Sequence, residues 1–388
     1  MQGSIRKKGS SYYIRYYDKN GKQIERVGGK TKKEAQLKLN EILYTLENGG
    51  PINSNMLLSA YLEMWLEDYI KDEKTHNTYD KYKNSINKYI NPYLGDIQLN
   101  DLKVIHIEKF IKKIKTTKIN YGNKQKTISP TTVQTYYGIL RTALNKAVKL
   151  QMLNDNPCKF IDTPKRSKFK ANILTPEEIK LVKQHLNISK YNDYIFNLAL
   201  DLTLELGLRR GEMCGLTWDN INFENKTITL EKALIRIENE YVISDLKTDS
   251  SYDTLPISNS LCEKLKAHKN IQKLNKLKYG FTYTNTNIFN NINYELIFTW
   301  ENGEYIAPSR FLQRLKRLMK QCEIEKNIRW HDLRHTNATL LLEGGVSIKT
   351  VQERLRHSLI QTTMDTYAHV TDKMNREATD KITNILNL

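Results

Sequence analysis

The chain has 388 residues, 61 lysines and arginines against 43 aspartates and glutamates, and a formal net charge of +18. That length predicts two or three domains, and the charge predicts a polyanionic partner. An apolar run of about 18 residues is lacking, as is a signal-peptide pattern, which argues against a membrane span and secretion. Cys158, Cys214, Cys262 and Cys322 are too irregularly spaced for a zinc or redox motif, so a reducing cytoplasm is expected. The charge is uneven: residues 1–171 carry a net +16 and residues 172–388 only +2. The first part reads as the polyanion-gripping part, the second as a folded core with a few placed cations.

Residues 1–50 read as a small module. Ser11 to Tyr17 is tyrosine-rich, Asp18-Lys19-Asn20-Gly21 is a hairpin signal and Gln23 to Val27 is the returning strand. Thr31 and Glu34 form a capping box that opens a helix to about Leu46. After a Gly49-Gly50-Pro51 linker, residues 57–160 turn helical. Leu58, Tyr61, Leu62, Trp65 and Tyr69 line one face; Tyr79, Tyr82, Ile86 and Tyr89 line a second helix that should end at Asn91-Pro92. Ile105 to Ile114 is a third helix, and Ser129-Pro130 starts a fourth. Residues 161–172 form a basic linker containing Lys165, Arg166 and Lys168. Thr175-Pro176 then opens a helix of a mostly helical region, 173–388, with one small sheet. The expected architecture is multidomain α+β: a three-stranded sheet with a helix, an all-α domain, and a mostly α domain.

The last region carries an ordered set of local patterns: Gly207-Leu208-Arg209-Arg210-Gly211-Glu212, His331-Asp332-Leu333-Arg334-His335, Leu355-Arg356-His357-Ser358 and Thr363-Met364-Asp365-Thr366-Tyr367. Two arginines, two histidines and a tyrosine in this order, over about 160 residues, suit phosphodiester chemistry. A five-coordinate phosphorus concentrates negative charge on two oxygens, and preorganised donors aimed there are usually the largest catalytic contribution. An arginine fork fits two such oxygens and never loses its proton, so Arg209 and Arg334 can do what metal ions do elsewhere, without a cofactor. The set resembles the tyrosine recombinase family, in particular the lambda-type integrases of phages and conjugative transposons.

The resemblance implies that Tyr367 attacks the scissile phosphate, giving a 3′-phosphotyrosyl link and a free 5′-hydroxyl. His331 and His357 are candidates to activate the phenol. Lys247, in the turn between the β-rich segments Thr227 to Leu230 and Thr254 to Ile257, matches the family's hairpin lysine that protonates the leaving oxygen. Residues 1–50 resemble an arm-type DNA-binding domain, in which Arg6, Lys7, Lys8, Arg15 and Tyr17 contact DNA; a basic module that binds nucleic acid non-specifically is the alternative. Residues 57–160 resemble the core-binding domain, with Lys81, Lys83, Lys88, Arg141 and Lys146 as phosphate contacts. The implied partners are double-stranded DNA with core and arm sites, a homotetramer in synapsis from a monomer in solution, an excisionase and a host DNA-bending protein. The implied setting is the bacterial cytoplasm, on the nucleoid when DNA-bound.

Plainer readings compete. His331 and His335 approach a zinc-protease helix motif, but aspartate is short for the glutamate base, Arg334 is a fixed cation beside a dication, and no third ligand has a motif. Arg209 lies in an apolar stretch, where an unpaired charge is costly unless it is functional; Glu212 is expected to orient an arginine. Arg356 stands where the family more often has glycine, which asks the turn to accept a side chain and offers a further phosphate contact. Rival functions are a chromosome-dimer recombinase, a silent DNA-binding regulator on this scaffold, and supercoil relaxation as a side activity. Met374, Ala378, Ile382, Ile385 and Leu386 recur at helical spacing after the tyrosine, so the tail needs a partner surface, either its own domain or a neighbouring protomer.

Overall fold

In a computed structural model, residues 3–18, 21–48, 56–121, 124–165, 171–246, 252–284 and 287–356 are described, with Met364 and Leu386 beyond them. The chain divides into two compact units, Met1–Lys168 and Phe169–Leu388.

In the first unit, β1 (Ser4–Lys8), β2 (Ser11–Tyr17) and β3 (Gln23–Gly29) form an antiparallel sheet in the order β1-β2-β3. The expected turn is closed by Gly21 N–H donating to Asp18 O at 3.0 Å and Lys22 N–H donating to Asp18 Oδ1 at 2.9 Å. Helix α1 (Lys32–Asn48) begins at the Thr31–Glu34 capping box and covers Ile14 and Tyr16 with Ala35 and Leu39. Gly28 permits this approach, because a Cβ there would lie 2.7 Å from both Ala35 Cβ and Ile14 Cγ2.

A separate core joins α2 (Leu58–Trp65), α3 (His76–Ser85), α4 (Asn91–Leu94), α5 (Val104–Thr116) and α6 (Pro130–Lys149). Ser129 caps α6 and Pro130 sits in its first turn, as expected. The helix stop expected at Asn91-Pro92 is overturned. A wide turn over Ile86–Ile90, with Asn91 N–H donating to Ile86 O, carries the chain from α3 into α4, and Gly95 N–H still reaches Asn91 O at 2.9 Å. Proline lacks an N–H and crowds the carbonyl four residues back; an i→i+5 turn accommodates both. Between α5 and α6 the structure adds a hairpin, β4 (Lys118–Tyr121) with β5 (Lys124–Thr127), to the expected helices.

The second unit contains α7 (Pro176–Gln184), capped by Thr175 and Glu178 as expected, then α8 (Tyr191–Leu206) and the short α9 (Arg210–Cys214). Strands β6 (Ile221–Asn222), β7 (Thr227–Leu230) and β10 (Asp253–Pro256) form a sheet in the order β10-β7-β6. A hairpin of β8 (Lys232–Ile237) and β9 (Glu240–Asp245) is inserted between β7 and β10. There follow α10 (Asn259–Tyr279), the pair β11 (Asn287–Phe289) and β12 (Ile292–Tyr294), α11 (Pro308–Gln321), α12 (Trp330–Glu343) and α13 (Ile348–Arg354). Phe196 and Phe311 meet the Trp330 ring edge-on at 5.7 and 5.5 Å, anchoring the start of α12 in the core. All four cysteines are buried and free, and among the described residues no helix is long and apolar enough to cross a membrane.

Candidate active site

Helix α8 ends at Gly207, whose φ of +65° is the left-handed conformation that glycine adopts freely. A Cβ there would lie 2.7 Å from Leu355 Cδ2 and 2.9 Å from Asn337 Oδ1. The last carbonyls of α8 are met from two other elements. Asn337 Nδ2 on α12 donates to Leu204 O at 2.7 Å and Glu205 O at 3.1 Å, and Arg354 Nη2 on α13 donates to Glu205 O at 2.9 Å. Groups far apart in sequence thus meet because helix ends leave carbonyls unpaired.

Arg334 repeats the pattern at the centre. Its guanidinium is buried on α12, with Nη1 donating to Gly207 O at 2.7 Å and Nη2 to Leu355 O. Arg209 is the N-cap of α9, and its side chain is 38% exposed. Its Nη1 donates to Glu212 Oε1 at 2.6 Å while its backbone N–H donates to Glu212 Oε2 at 2.9 Å. Arg356 closes the group from the other side, with Nη2 on Glu212 Oε2 at 2.6 Å. Burial raises the Glu212 pKa, but Arg356 and Arg209 outweigh it and hold the carboxyl below its ordinary value.

Helix α12 begins with the same device as α9: an arginine N-cap and a buried acid three residues on. Arg329 donates to Asp332 through Nε at 3.0 Å, Nη2 at 2.7 Å and its backbone N–H at 2.7 Å. This fixes the first turn, where His331 is exposed and meets His335 edge-to-face at 4.9 Å. Desolvation and then the Arg334 charge push the His331 pKa down; desolvation and then His331 bring the buried His335 to about 4. Both are neutral at neutral pH, and neutral His331 can accept a proton. Among the described residues no third metal-binding side chain joins them.

A groove of about 660 Å³ opens beside His331, lined by Arg210, Arg236, Arg329, Tyr241 and Ser309. Its far wall is the β8–β9 hairpin, which lies against α9 because two glycines leave room. A Cβ on Gly215 would meet Leu234 N at 2.8 Å and Ala233 Cα at 2.9 Å, and one on Gly211 would meet Leu234 O at 3.2 Å. Backbone cannot retreat as a side chain can, so Gly215→Ala should cost about 1–3 kcal/mol. A urea midpoint equal to that of the unaltered chain would show that the approach is not tight.

The phage integrase family matches residues 172–374, and the N-terminal SAM-like domain of phage integrases matches residues 57–115. A protein described as "Tyrosine recombinase XerC-like" from Caldanaerobacter subterraneus subsp. tengcongensis is 32% identical, over 95% of this chain and 94% of its own length. The chain belongs to the phage integrase family. It is a tyrosine recombinase, an enzyme that cuts and rejoins DNA through a tyrosine-linked intermediate in site-specific recombination. The ICEBs1 integrase of Bacillus subtilis is 27% identical over 80% of this chain and 78% of its own. In fold, the recombinase resembles the Tn1549 transposon integrase bound to transposon right end DNA (TM-score 0.67, 20% identity, 83% of this chain and 100% of that one). It also resembles a lambda integrase dimer bound to a core site (TM-score 0.56, 19% identity, 92% and 93%).

Of the residues singled out in the sequence of this recombinase, Arg334 reaches Leu355 O and Gly207 O, two residues before Arg209, and His331 lines the groove. Lys247, His357, Tyr367, Arg166 and Lys168 lie outside the described residues. Arg356 departs from expectation. It is not a surface phosphate contact but a buried partner of Glu212, because the carboxylate inside needs a second cation. In the N-terminal sheet, Arg6, Lys8, Arg15 and Tyr17 share the face away from α1, whereas strand alternation puts Lys7 on the other face, its ammonium 5.9 Å from the Tyr12 ring centre. Glu25 pairs with Lys8 at 2.6 Å and Arg15 at 2.9 Å. Lys81, Lys83, Lys88, Arg141 and Lys165 are exposed; Lys146 is half-buried, its ammonium 3.9 Å over Tyr69. The sequence reading passed over Asn337, Arg329 and the β8–β9 hairpin. A polar Asn337 just before the largely apolar stretch Ala338 to Leu342 was the available signal for the first.

Proposed function

We propose that this recombinase integrates and excises a mobile element, with Arg209 and Arg334 holding the scissile phosphate, Tyr367 as nucleophile and Lys247 as general acid. The supporting observation is that Arg334 bonds Gly207 O, two residues before Arg209, while His331, one turn earlier on the same helix, lines a groove with Arg210, Arg236 and Arg329. The phenol oxygen attacks phosphorus as the bond to O5′ breaks. His331, neutral and exposed, or His357 accepts the phenol proton, and the Lys247 ammonium protonates O5′. The reverse steps reseal the strand, and the phosphotyrosine conserves the bond energy, so ATP is not consumed. A substrate nicked near the core site tests the whole assignment: a trapped adduct whose peptide maps to Tyr367 supports it, and an adduct on another residue refutes it.

In the same reading, residues 1–50 bind arm sites, residues 57–160 and residues 173–388 both grip the core site, and 161–172 is a basic linker along DNA. Four protomers form the synapse, assembled from monomers, with an excisionase and a host DNA-bending protein setting direction on the nucleoid. The DNA-bound integrases of like fold favour double-stranded DNA as the partner, and the ICEBs1 relative favours a mobile element. Deleting residues 1–50 should spare cleavage of an isolated core site, abolish recombination that needs arm sites, and flatten the salt dependence of binding by about 0.9 in log–log slope per lost phosphate contact. The XerC-like relative favours a second reading, resolution of chromosome dimers, and it spans nearly this whole chain, so the N-terminal module alone does not separate the two. Recombination that survives the deletion would favour that second reading.

A further inference from the structure

We infer that Arg356 is a positioning residue for strand cleavage, its buried bond to Glu212 holding Arg209 in register and tying the turn before His357 to the start of α9. The inference rests on the role proposed for Arg209. Glu212 has both oxygens in use: Oε1 takes Arg209 Nη1 at 2.6 Å, and Oε2 takes the Arg209 backbone N–H at 2.9 Å and Arg356 Nη2 at 2.6 Å. The Arg356 and Glu212 side chains are only 1% and 2% exposed, against 38% for Arg209. A carboxylate so deep needs a cation that stays with it. If Arg209 were its sole counter-ion, Glu212 and the phosphate would compete for one guanidinium. With Arg356 present the three groups sum to one positive charge, and it lies on the partner that reaches solvent.

Two features of Arg356 set it apart from an ordinary surface arginine. Its φ is +55°, in the left-handed region that strains any residue bearing a Cβ. Its Nε and Nη1 are buried and donate to no partner among the described residues. A strained residue persists only where the surroundings over-determine it. The surroundings do so here: Leu355 O takes a bond from Arg334, and Arg354 is braced on Glu205 O. The stretch 354–356 is thereby stitched to 205–212 at three successive residues. The charged groups facing the pair are Arg209 from α9 and, toward Arg356, Asp253 from β10.

The test is single-turnover cleavage of a nicked core-site substrate by the full chain, from mildly acid to mildly alkaline pH. Arg356→Met should lower neutral-pH cleavage about tenfold and shift the acid limb upward, because Glu212 with one cation fewer takes its proton at higher pH. Arg356→Gly, which relieves the backbone, should show the same shift, and Arg356→Lys should reverse part of it. Core-site affinity should stay near that of the unaltered enzyme. Unchanged rate and acid limb in the Met and Gly variants would overturn the proposal. So would a uniform loss at every pH that merely follows the melting temperature. Should those variants not fold, Glu212→Gln serves, since it removes the titrating group in nearly the same shape; a cleavage rate and an acid limb both equal to those of the unaltered enzyme are equally fatal. Arg209→Lys is run alongside: normal cleavage by that variant refutes the Arg209 assignment itself, whereas its loss beside a normal Arg356→Met refutes only the strut.

Discussion

Replacing Tyr367 with phenylalanine should abolish the covalent protein–DNA adduct while leaving core-site affinity within about twofold, since in the proposed assignment the phenol attacks phosphorus and does not grip the duplex. One oxygen atom is removed, the atom proposed to form the bond. A phenol with an ordinary pKa of about 10 is a poor nucleophile at neutral pH, so its activation depends on neighbours; in the proposed assignment His331, whose pKa burial and the Arg334 charge push down, accepts the proton. Because Tyr367 is one of 23 tyrosines, the denaturing-gel assay for the adduct discriminates sharply. Any remaining adduct would mean that another tyrosine does the chemistry.

Arg334→Lys should lower cleavage by about 10²-fold or more, the scale of losing one preorganised donor to a developing oxyanion. It should also destabilise the fold, which separates it from Arg209→Lys. Arg334 bridges Gly207 O and Leu355 O from a buried position. A lysine ammonium is a point charge that cannot span both carbonyls, and each buried acceptor left without a donor costs about 1–3 kcal/mol. Arg209 is more exposed and among the described residues its side chain bonds Glu212 alone, so its lysine variant should lose cleavage with little change in melting temperature. Near-normal cleavage by Arg334→Lys would show that this arginine is architectural alone.

Much of this recombinase was legible in its sequence, and for local reasons. Thr31 with Glu34, Thr175 with Glu178 and Ser129 with Pro130 mark helix starts, because a cap satisfies backbone groups within three residues. The Asp18 to Gly21 turn was visible for the same reason, and the ordered arginine, histidine and tyrosine patterns pointed to the family because each lies within a few residues. What the sequence could not determine depends on groups that meet across long separations. The turn at Ile86–Ile90 that carries the helix past Pro92 is a widening that no residue pattern announced. The β8–β9 hairpin hid between two recognised strands, and its fit against Gly211 and Gly215 is a matter of close packing. Arg334 reaches a carbonyl 127 residues away and Arg356 a carboxylate 144 residues away. Periodicity and capping fix which segments are helices or strands. Which buried donor finds which acceptor is decided only when those segments pack, because an unpaired polar group inside the protein is too costly to leave.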